Sequence, residues 1–310
     1  MPLFTRRQFL RAATLASAAS LALVKTQPLE AATLHVPIGL ELYTVRDLLS
    51  RDFDGTLRQM AAIGFREVEF ASFMGRTPAQ LRAALRSAGL GCVSAHYSAQ
   101  ELQSALPQKI DEARAIGLRY MVCGFPWVAD PQRFHVAASD RGGMVRALWN
   151  DLTLDDWKWN ADLFNHFGEQ TRKAGIQFCY HNNNYEFRRY GSTSGYDELV
   201  RRTDAHLVKF ELDCGWAVRA GRDPVEIMGR SPGRFPLLHA KDIRNGAVPS
   251  TAMGVDAVVS LGHGSIDWQR IFAAAPAAGV RHCYLDQEIF RGPILDGLKA
   301  DYAWLHQRLG

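Results

Sequence analysis

Short segments rich in apolar, β-branched and aromatic residues recur along the chain, separated by longer segments whose apolar residues follow a helical period. Buried parallel strands have the first pattern and amphipathic helices the second. We therefore predict eight strands, near residues 38–43, 66–70, 91–96, 119–123, 176–181, 207–213, 236–240 and 281–287. Helices are predicted between them, most clearly at Phe53–Ile63, Pro78–Ala88, Leu154–Ala174 and Trp268–Ala278.

A glycine follows several of the predicted helices and precedes the next strand, at positions 64, 89, 117, 175 and 279. Glycine closes a helix there because it adopts the left-handed backbone conformation without steric cost. Most strand–helix units are about 25–31 residues long, and Phe125–Asp151 and Arg244–Ser265 form longer, loop-rich insertions. Eight units of even length predict an α/β fold, a single closed (β/α)₈ barrel. A nucleotide-binding open sheet is disfavoured because the chain has neither a G-x-G-x-x-G nor a Walker lysine motif.

The first 32 residues have the pattern of an export signal. Arg6 and Arg7 precede Phe9-Leu10, and a stretch of small apolar residues without charge runs from Ala12 to Val24. This pattern is typical of a secretory signal, and the paired arginines resemble the twin-arginine type. We predict a signal peptide over 1–32, the barrel over 33–310 and a bacterial periplasmic or otherwise extracytoplasmic location. The apolar stretch is too short for a stable membrane span, and the resemblance implies the twin-arginine translocase as a partner during export.

Charge and cysteine content argue against two other classes of protein. The net charge is +4, but beyond residue 32 the chain has 32 basic and 31 acidic residues. Since nucleic-acid binding needs clustered Lys and Arg, we expect no nucleic-acid partner. The five cysteines contain no C-x-x-C pair, and each lies in or just after a predicted strand. We interpret them as small apolar residues of the barrel wall, not as a disulfide framework.

Polar residues end most of the predicted strands, which is where a barrel carries its chemistry. The segments are Glu41-Leu-Tyr43, Glu67-Val-Glu69, Ser94-Ala-His96, Tyr180-His181-Asn182-Asn183, Glu211-Leu-Asp213, His239-Ala-Lys241-Asp242 and Asp286-Gln287-Glu288. Carboxylates and imidazoles from successive strands would converge on the barrel axis, where a cation would compensate their charge. Two imidazoles and two carboxylates suit one divalent ion, and their spacing does not choose among Mn²⁺, Mg²⁺, Co²⁺, Zn²⁺ and Fe²⁺.

Four of these regions resemble one protein family. They are Tyr180-His181-Asn182-Asn183 with Tyr185-Glu186-Phe187, Glu211-Leu-Asp213-Cys-Gly-Trp216 with Ala220-Gly221-Arg222-Asp223-Pro224, His239-Ala-Lys241-Asp242, and Gly262-His263-Gly264-Ser-Ile-Asp267-Trp268. They are similar to the YHNH…EF, D-x-x-W…AG-x-DP, H-x-KD and G-x-G-x-(I/V)-D-(W/F) segments of sugar phosphate isomerase/epimerase-like proteins of the xylose isomerase-like superfamily. Their order and spacing agree from about Ile38 to Leu309. The resemblance implies a (β/α)₈ enzyme that acts on a sugar or a close derivative.

The resemblance also implies which residues hold the metal. The superfamily places a carboxylate or His after strand five, Asp after strand six, His after strand seven and a carboxylate after strand eight. The matching residues here are His181, Asp213, His239 and Asp286. Two positions depart from the family, since ketose 3-epimerases have Glu at the position of His181 and the strand-eight ending is commonly V-E-Q-D. Glu288 points to the same face of the strand as Asp286 and is longer, so both remain candidates, with Asp286 preferred.

The candidate catalytic residues are Glu288, Lys241 and His96. Sugar enzymes of this kind use the metal to polarise a carbonyl or hydroxyl group while a base removes the adjacent proton. A nearby cation would lower the pKa of Lys241, whereas pairing with Asp242 or Glu211 would give the lysine a structural role. The expected substrate-binding residues are Glu41, Tyr43, Glu69, Trp127, Asn183, Glu186 and Trp216, of which the aromatic ones are equally compatible with packing.

Several functions remain open from the sequence. Two-sided epimerisation needs a carboxylate on each face of the sugar, and His181 replaces one of them, so isomerisation or one-sided β-elimination fits as well. The latter is the reaction of dehydratases and 3-keto-glycoside lyases in the superfamily. A non-catalytic sugar-binding barrel is a further alternative, whereas the near-neutral charge and the export signal disfavour an apurinic-site endonuclease. The expected partner is a small carbohydrate, and the oligomeric state is open, a homo-oligomer included.

The export signal generates the first testable prediction. Replacing Arg6→Lys together with Arg7→Lys should leave the protein folded but retained in the cytoplasm, because the translocase recognises the arginine pair. Immunoblots of periplasmic and cytoplasmic fractions from the expressing bacterium measure this distribution. Unchanged periplasmic levels of the double variant would contradict the assignment.

Overall fold

The computed structural model describes residues 34–137 and 139–309, and the predicted signal peptide lies outside them. Eight parallel strands close into a barrel in the order β1-β8-β7-β6-β5-β4-β3-β2. Their bounds are β1 Ile38–Glu41, β2 Glu67–Phe70, β3 Gly91–Ser98, β4 Tyr120–Phe125, β5 Gln177–His181, β6 Val208–Asp213, β7 Leu237–Ala240 and β8 His282–Leu285. The predicted (β/α)₈ barrel is confirmed.

Helices connect the strands and cover the outside of the barrel. They are α1 Arg46–Arg51, α2 Phe53–Ile63, α3 Pro78–Ala88, α4 Ala99–Ile116, α5 Arg141–Asp151, α6 Leu154–Lys173, α7 Gly195–Arg202, α8 Cys214–Arg219, α9 Pro224–Arg230, α10 Trp268–Ala278 and α11 Ile294–Leu309. Three of the four predicted helices have the predicted ends, and α6 ends one residue early. Within the described residues, no helix is long and apolar enough to cross a membrane.

Capping residues explain why the helix ends could be predicted from the sequence. Thr77 and Gln80 form a reciprocal capping box at the start of α3, and Ser98 and Glu101 form another at the start of α4. Gly117, with φ 99°, closes α4 in the left-handed conformation that its position after the helix predicted. These local signals place the end of each helix, and therefore the start of the strand that follows it.

Two segments differ from the expectation. The first strand ends at Glu41, because a 3₁₀ turn over Leu42–Val45 begins where strand pairing was expected to continue. The insertion after β4 is helical in its second half, where α5 starts at Asp140, whose carboxylate accepts a hydrogen bond from the backbone N–H of Gly143. The helix forms despite Gly142 and Gly143 because its N-terminus is capped and its Ala147–Trp149 segment is buried.

The core fills the barrel wall and the space beneath the helices. Phe164 on α6 packs against Phe178 and Tyr180 of β5, with ring centroids 5.6 Å and 5.0 Å apart. All five cysteines lie in the described residues as free thiols, and four of them are buried. Their interpretation as buried wall residues is confirmed for Cys123, Cys179 and Cys283, which lie in barrel strands, whereas buried Cys214 begins α8 and Cys92 of β3 is half-buried.

Packing between α6 and the segment before β6 gives a prediction about stability. A Cβ added at Gly168 would lie 2.6 Å from the backbone carbonyl oxygen of Leu207, which no rotamer change can relieve. We expect Gly168→Ala to lower the free energy of unfolding by about 1–3 kcal/mol. Gly229→Ala in α9 is the matched control, since a Cβ there meets nothing within 4 Å and should raise stability by up to about 1 kcal/mol. Urea unfolding of both variants measures the two values, and equal effects would contradict the packing argument.

Candidate metal centre and active site

The side chains expected to hold a metal meet at the carboxyl end of the barrel. His181 ends β5, Asp213 ends β6, His239 lies in β7 and Asp286 follows β8. One ligand atom from each of these four residues lies within 4.8 Å of the other three. All four side chains are buried, so the barrel gathers them in an interior where bare charges are costly.

The spacing of these four groups fits a divalent ion. His239 Nδ1 lies 3.4 Å from Asp286 Oδ2, and His181 Nε2 lies 3.7 Å from Asp213 Oδ2. Four atoms arranged tetrahedrally about 2.1 Å from one ion are about 3.4 Å apart, whereas hydrogen-bonded atoms are closer. Within the described chain, one buried atom of each of the four residues has no hydrogen-bond partner: His181 Nε2, Asp213 Oδ2, His239 Nδ1 and Asp286 Oδ1. Burial also lowers the pKa of His181, which leaves its ring neutral and able to donate a lone pair.

A second group of acids and imidazoles lies beside the first but differs in its contacts. Glu41, Glu69, His96 and His239 also offer ligand atoms within 4.8 Å of one another. The contacts here have hydrogen-bond length, 2.7 Å from His96 Nε2 to Glu211 Oε2 and 2.8 Å from His239 Nε2 to Glu69 Oε2. The imidazole nitrogens Nε2 of His96 and His239 are thus hydrogen-bonded to carboxylates, so the geometry supports a hydrogen-bond network here and favours the first group as the cation site.

Glu69 fixes the orientation of His239. Its carboxylate accepts hydrogen bonds from Ser94 Oγ and from His239 Nε2, and it has no exposed surface. Because Nε2 is used, Nδ1 of His239 is the nitrogen that faces Asp286 and Asp213. A carboxylate behind a metal-binding histidine fixes its tautomer and raises its basicity. Glu69 was expected to bind substrate. Its carboxylate is instead fully buried and hydrogen-bonded to His239, which it orients.

Glu41 and Glu211 complete the network below the first group. Glu211 Oε1 lies 3.3 Å from His239 Nε2, and its other oxygen bonds His96. Glu41 accepts a hydrogen bond from the backbone N–H of Tyr43, while its second oxygen has no partner among the described residues. Burial raises the pKa of Glu41 well above its ordinary value, and His96 only partly offsets this. A substrate contact of Glu41 stays a prediction.

Lys241 and Glu288 border the metal-binding group on its outer side. The Lys241 Nζ atom lies 3.0 Å from Asp213 Oδ2, 2.9 Å from Asp286 Oδ2 and 2.5 Å from Glu288 Oε1. Burial alone would lower the pKa of Lys241, but the three carboxylates outweigh it and hold the pKa well above its ordinary value. The expected pairing of Lys241 with Asp242 or Glu211 was wrong, since its partners are Asp213, Asp286 and Glu288. The lowered pKa expected beside a bound cation stays a prediction. Lys241 is therefore an ammonium group paired with three carboxylates, and a catalytic role for it stays a prediction.

Glu288 has the properties of a base near neutral pH. Its side chain is 12% exposed, and one oxygen lies free of hydrogen bonds within the described part of the chain. Burial raises its pKa to about 7, although Lys241 opposes the shift. A base whose pKa lies near the operating pH is the most effective.

The other expected substrate residues lie in different surroundings. Trp216 is buried, with its ring centroid 4.6 Å from Lys241 Nζ, so it positions the ammonium group. The backbone of Trp127 is tied to Asn160, and its indole is half-buried against the core. Tyr43 is 47% exposed in the turn after β1 and remains free to contact a ligand.

Asn183 and Glu186 hold the loop after β5 in place. The carboxylate of Glu186 accepts hydrogen bonds from the Asn183 backbone N–H and from the Tyr180 hydroxyl, 3.0 Å and 2.8 Å away. Tyr180 stacks on Phe164 of α6, so Glu186 faces the helix layer and not the barrel axis. Its burial raises its pKa to about 7. A structural role therefore replaces the substrate contact expected of Glu186, while Asn183, also buried, stays a prediction.

Sequence reasoning missed three contributors to the site. Glu211 was considered only as a possible partner of Lys241. Ser94 was named only as part of the Ser94-Ala-His96 segment that ends a strand, with no role of its own. Asn182 pins β6 to the loop after β5, since its side chain bonds both the backbone N–H and the carbonyl of Asp213. Strand periodicity was the available signal, because Ser94 and His96, like Glu211 and Asp213, are two apart and face the same side.

The Glu69–His239 contact gives a prediction about metal affinity. Glu69→Gln should weaken Mn²⁺ or Zn²⁺ binding by about 10–100-fold, because a neutral amide orients and polarises the imidazole less well. Glu67→Gln is the matched control: it alters the 2.7 Å contact between Glu67, at the start of β2, and His282, at the start of β8. Isothermal titration calorimetry on metal-free protein measures both affinities. Equal effects of the two substitutions would contradict the role given to Glu69.

Comparison with known proteins agrees with this architecture. An inosose dehydratase of Clostridium perfringens is 26% identical over 239 residues, which cover 71% of this chain and 76% of the relative. A sugar phosphate isomerase/epimerase structure from Parabacteroides distasonis aligns with a TM-score of 0.68 and 24% identity, over 90% of this chain and 96% of its own. The IolI protein, whose structure has a binding zinc atom, aligns with a TM-score of 0.65 and 11% identity, over 88% and 98%.

A family model describes most of the chain itself. The model for the xylose isomerase-like TIM barrel matches residues 57–308. This range begins within α2 and ends within α11, so it includes every residue of the candidate metal centre. The chain therefore belongs to the xylose isomerase-like TIM barrel family.

Proposed function

We propose that the protein is an exported, divalent-metal-dependent enzyme that catalyses β-elimination from a sugar-derived polyhydroxy ketone. The relatives support an enzyme of isomerase, epimerase or lyase type. The observation that carries the choice of elimination is the asymmetry of the site. A carboxylate suited to act as a base, Glu288, lies on one side of the ligand group, and His181 occupies the place of the second carboxylate.

Three residues of this chain supply the proton chemistry. Elimination removes a proton from the carbon next to the ketone, and the hydroxyl group on the following carbon departs as water after gaining a proton. Glu288 accepts the first proton. The Lys241 ammonium, held beside it, stabilises the negative charge that develops on the ketone oxygen. A bound divalent ion would polarise that carbonyl group.

His96 is placed to give the second proton. Its ring is parallel to that of His239 at a centroid distance of 5.8 Å. It contacts Glu69 and Glu211, the carboxylates at Nε2 of His239, whereas Asp286 lies at Nδ1. Burial would lower its pKa, but Glu69 and Glu211 outweigh this and raise it well above the ordinary value. Its side chain is 16% exposed, so a substrate can reach it. A base and an acid on different sides suit the removal of a proton and a hydroxyl group from neighbouring carbons.

Similarity to dehydratases supports this choice over epimerisation. The relative from Clostridium perfringens is an inosose dehydratase, and an inosose is a cyclic polyhydroxy ketone. Two-sided epimerisation would need a second base at the end of strand five, the position of His181. Burial lowers the pKa of His181, and its Nε2 lies 3.7 Å from Asp213 within the ligand group. A role as a purely sugar-binding barrel would leave the buried Glu288–Lys241 pair without a purpose.

Export is a separate part of the proposal. The twin-arginine pattern at Arg6 and Arg7 supports a periplasmic location. Substrates of that translocase are exported folded, so the metal would be acquired in the cytoplasm. The absence of disulfides among the cysteines of the described residues is compatible with this route.

The proposed roles of Asp286 and Glu288 give a prediction with two distinct signatures. Asp286→Asn should lower metal affinity, because it removes a charged ligand. Glu288→Gln should keep the metal but reduce kcat by about 10²–10⁴-fold, the usual effect of losing a general base. Metal content by mass spectrometry and the rate of enone formation from a panel of inososes and keto-glycosides, with and without chelator, measure both.

The outcomes of this experiment are separable. If Glu288→Gln lowered metal affinity and Asp286→Asn lowered only kcat, Glu288 would be the metal ligand and Asp286 would not bind the ion directly. Turnover of the panel without any effect of chelator would contradict metal dependence. Exchange of the proton next to the ketone with solvent, without enone, would replace elimination by isomerisation or epimerisation.

A further inference from the structure

The ammonium group of Lys241 lies beside the same oxygen atoms that a divalent ion would bind. Asp213 shows this most clearly, because its Oδ1 already accepts a hydrogen bond of 2.7 Å from the backbone N–H of Trp216 at the start of α8. Oδ2 is therefore the oxygen that Asp213 can offer to an ion, and the same atom lies 3.0 Å from Lys241 Nζ. One anionic oxygen is thus within reach of two cations.

The carboxylate of Asp286 is in a similar position. Its Oδ2 lies 2.9 Å from Lys241 Nζ and 3.4 Å from His239 Nδ1, so it faces the ammonium group and the ligand group at once. Its Oδ1 is buried and has no hydrogen-bond partner in the described part of the chain. Both carboxylates expected to bind the ion are therefore ion-paired with Lys241.

The side chain of Lys241 is packed tightly against α8. A Cβ added at Gly215 would lie 2.7 Å from both Cβ and Cγ of Lys241, so the helix backbone contacts the first carbons of the side chain closely. The ring centroid of Trp216 lies 4.6 Å from the Nζ atom, and Lys241 has no exposed surface. The ammonium group is therefore confined to the space among the carboxylates.

Glu288 gives this ammonium group a third partner, which the proposed ion does not use. The hydrogen bond from Lys241 Nζ to Glu288 Oε1 is 2.5 Å long, the shortest of its three carboxylate contacts. A divalent ion held by Asp213 and Asp286 would repel the ammonium group towards Glu288. Lys241 can thus keep one carboxylate when an ion binds the other two.

Electrostatics gives Lys241 two opposite effects on the metal centre. Buried carboxylates this close together are costly without a cation, so the ammonium group stabilises their arrangement. Like charges a few ångströms apart inside a protein repel each other by several times the thermal energy. The group that stabilises the ligand carboxylates must therefore also weaken the binding of the ion.

We propose that Lys241 is an internal counter-cation that holds the ligand carboxylates together and lowers the affinity of the centre for its metal. The barrel then folds with its ligands assembled, and the ion exchanges more readily than four buried ligands alone would allow. This inference rests on the metal centre of the proposed function and is independent of the elimination itself. It gives Lys241 a role that is measured without any substrate.

Removal of the charge tests the inference through metal binding. Lys241→Met should raise the affinity for Mn²⁺ by about tenfold or more, because the ion then meets no like charge. Lys209→Met is the matched control, since it removes the same charge from the start of β6, where Nζ donates to the Gly233 carbonyl oxygen. It lies about 13 Å along the strand from Asp213, so the affinity should change by less than about twofold. Isothermal titration calorimetry on metal-free protein measures all three affinities.

The stability of the metal-free protein should respond in the opposite direction. Lys241→Met leaves three buried carboxylates without their cation, so the urea midpoint should fall by about 1 M or more. Saturating Mn²⁺ should then raise the midpoint of the variant more than that of the parent, because tighter binding stabilises the folded state further. Lys241→Gln keeps a hydrogen-bond donor without the charge, and it provides the affinity measurement if Lys241→Met does not fold.

The direction of the change in affinity decides the outcome. Unchanged or weaker Mn²⁺ binding by the folded variants at position 241 would overturn the proposal, because a lysine that only positions the ligands or only serves catalysis predicts that result. Failure of parent and variants alike to bind Mn²⁺ would refute the metal centre of the proposed function and this inference with it. Tighter binding by the variants, in a protein that eliminates nothing from any ketone, would refute the elimination and support the role of Lys241.

Discussion

The site depends on the two ring nitrogens of His239, which make contacts with different sets of carboxylates. One nitrogen contacts Glu69 and Glu211 inside the barrel, and the other faces Asp213 and Asp286. The buried network thereby gives the ring one orientation, in which Nδ1 is directed at the ligand group. Since the supporting carboxylates sit on β2 and β6, closure of the barrel is what brings the histidine and its supports together. A rigid scaffold of this kind holds a metal-binding geometry without help from the ion.

Electrostatics explains why the two adjoining groups differ. In the group of Glu41, Glu69, His96 and Glu211, the rings of His96 and His239 lie within hydrogen-bond distance of a carboxylate. The charges there are therefore largely compensated. In the metal-binding group, the ammonium group of Lys241 is surrounded by the carboxylates of Asp213, Asp286 and Glu288. Buried carboxylates in such excess are costly unless a further cation joins them. The same carboxylates raise the pKa of Lys241 well above its ordinary value, which is why the proposed mechanism assigns the base to Glu288.

Sequence reasoning reached the fold and the ligand candidates because both follow from local signals. Capping residues such as Thr77 and the glycine at 117 mark helix ends, and strand ends in a barrel converge by geometry. The roles of Glu69 and Glu186 could not be predicted, because strand periodicity tells which side a residue faces but not whether a partner from a distant strand already occupies it. The ion-pair partners of Lys241 were predicted wrongly for a related reason. Its three carboxylate neighbours come from the ends of two other strands, and only the folded chain places all of them within 3.0 Å.

The central claim is that one divalent ion binds between His181, Asp213, His239 and Asp286. Anomalous diffraction from crystals of the protein loaded with Mn²⁺ tests it most directly. We predict one strong peak, about 2.0–2.2 Å from a nitrogen or oxygen atom of each of these four residues. A peak among Glu41, Glu69 and His96, or no peak at saturating Mn²⁺, would contradict the account.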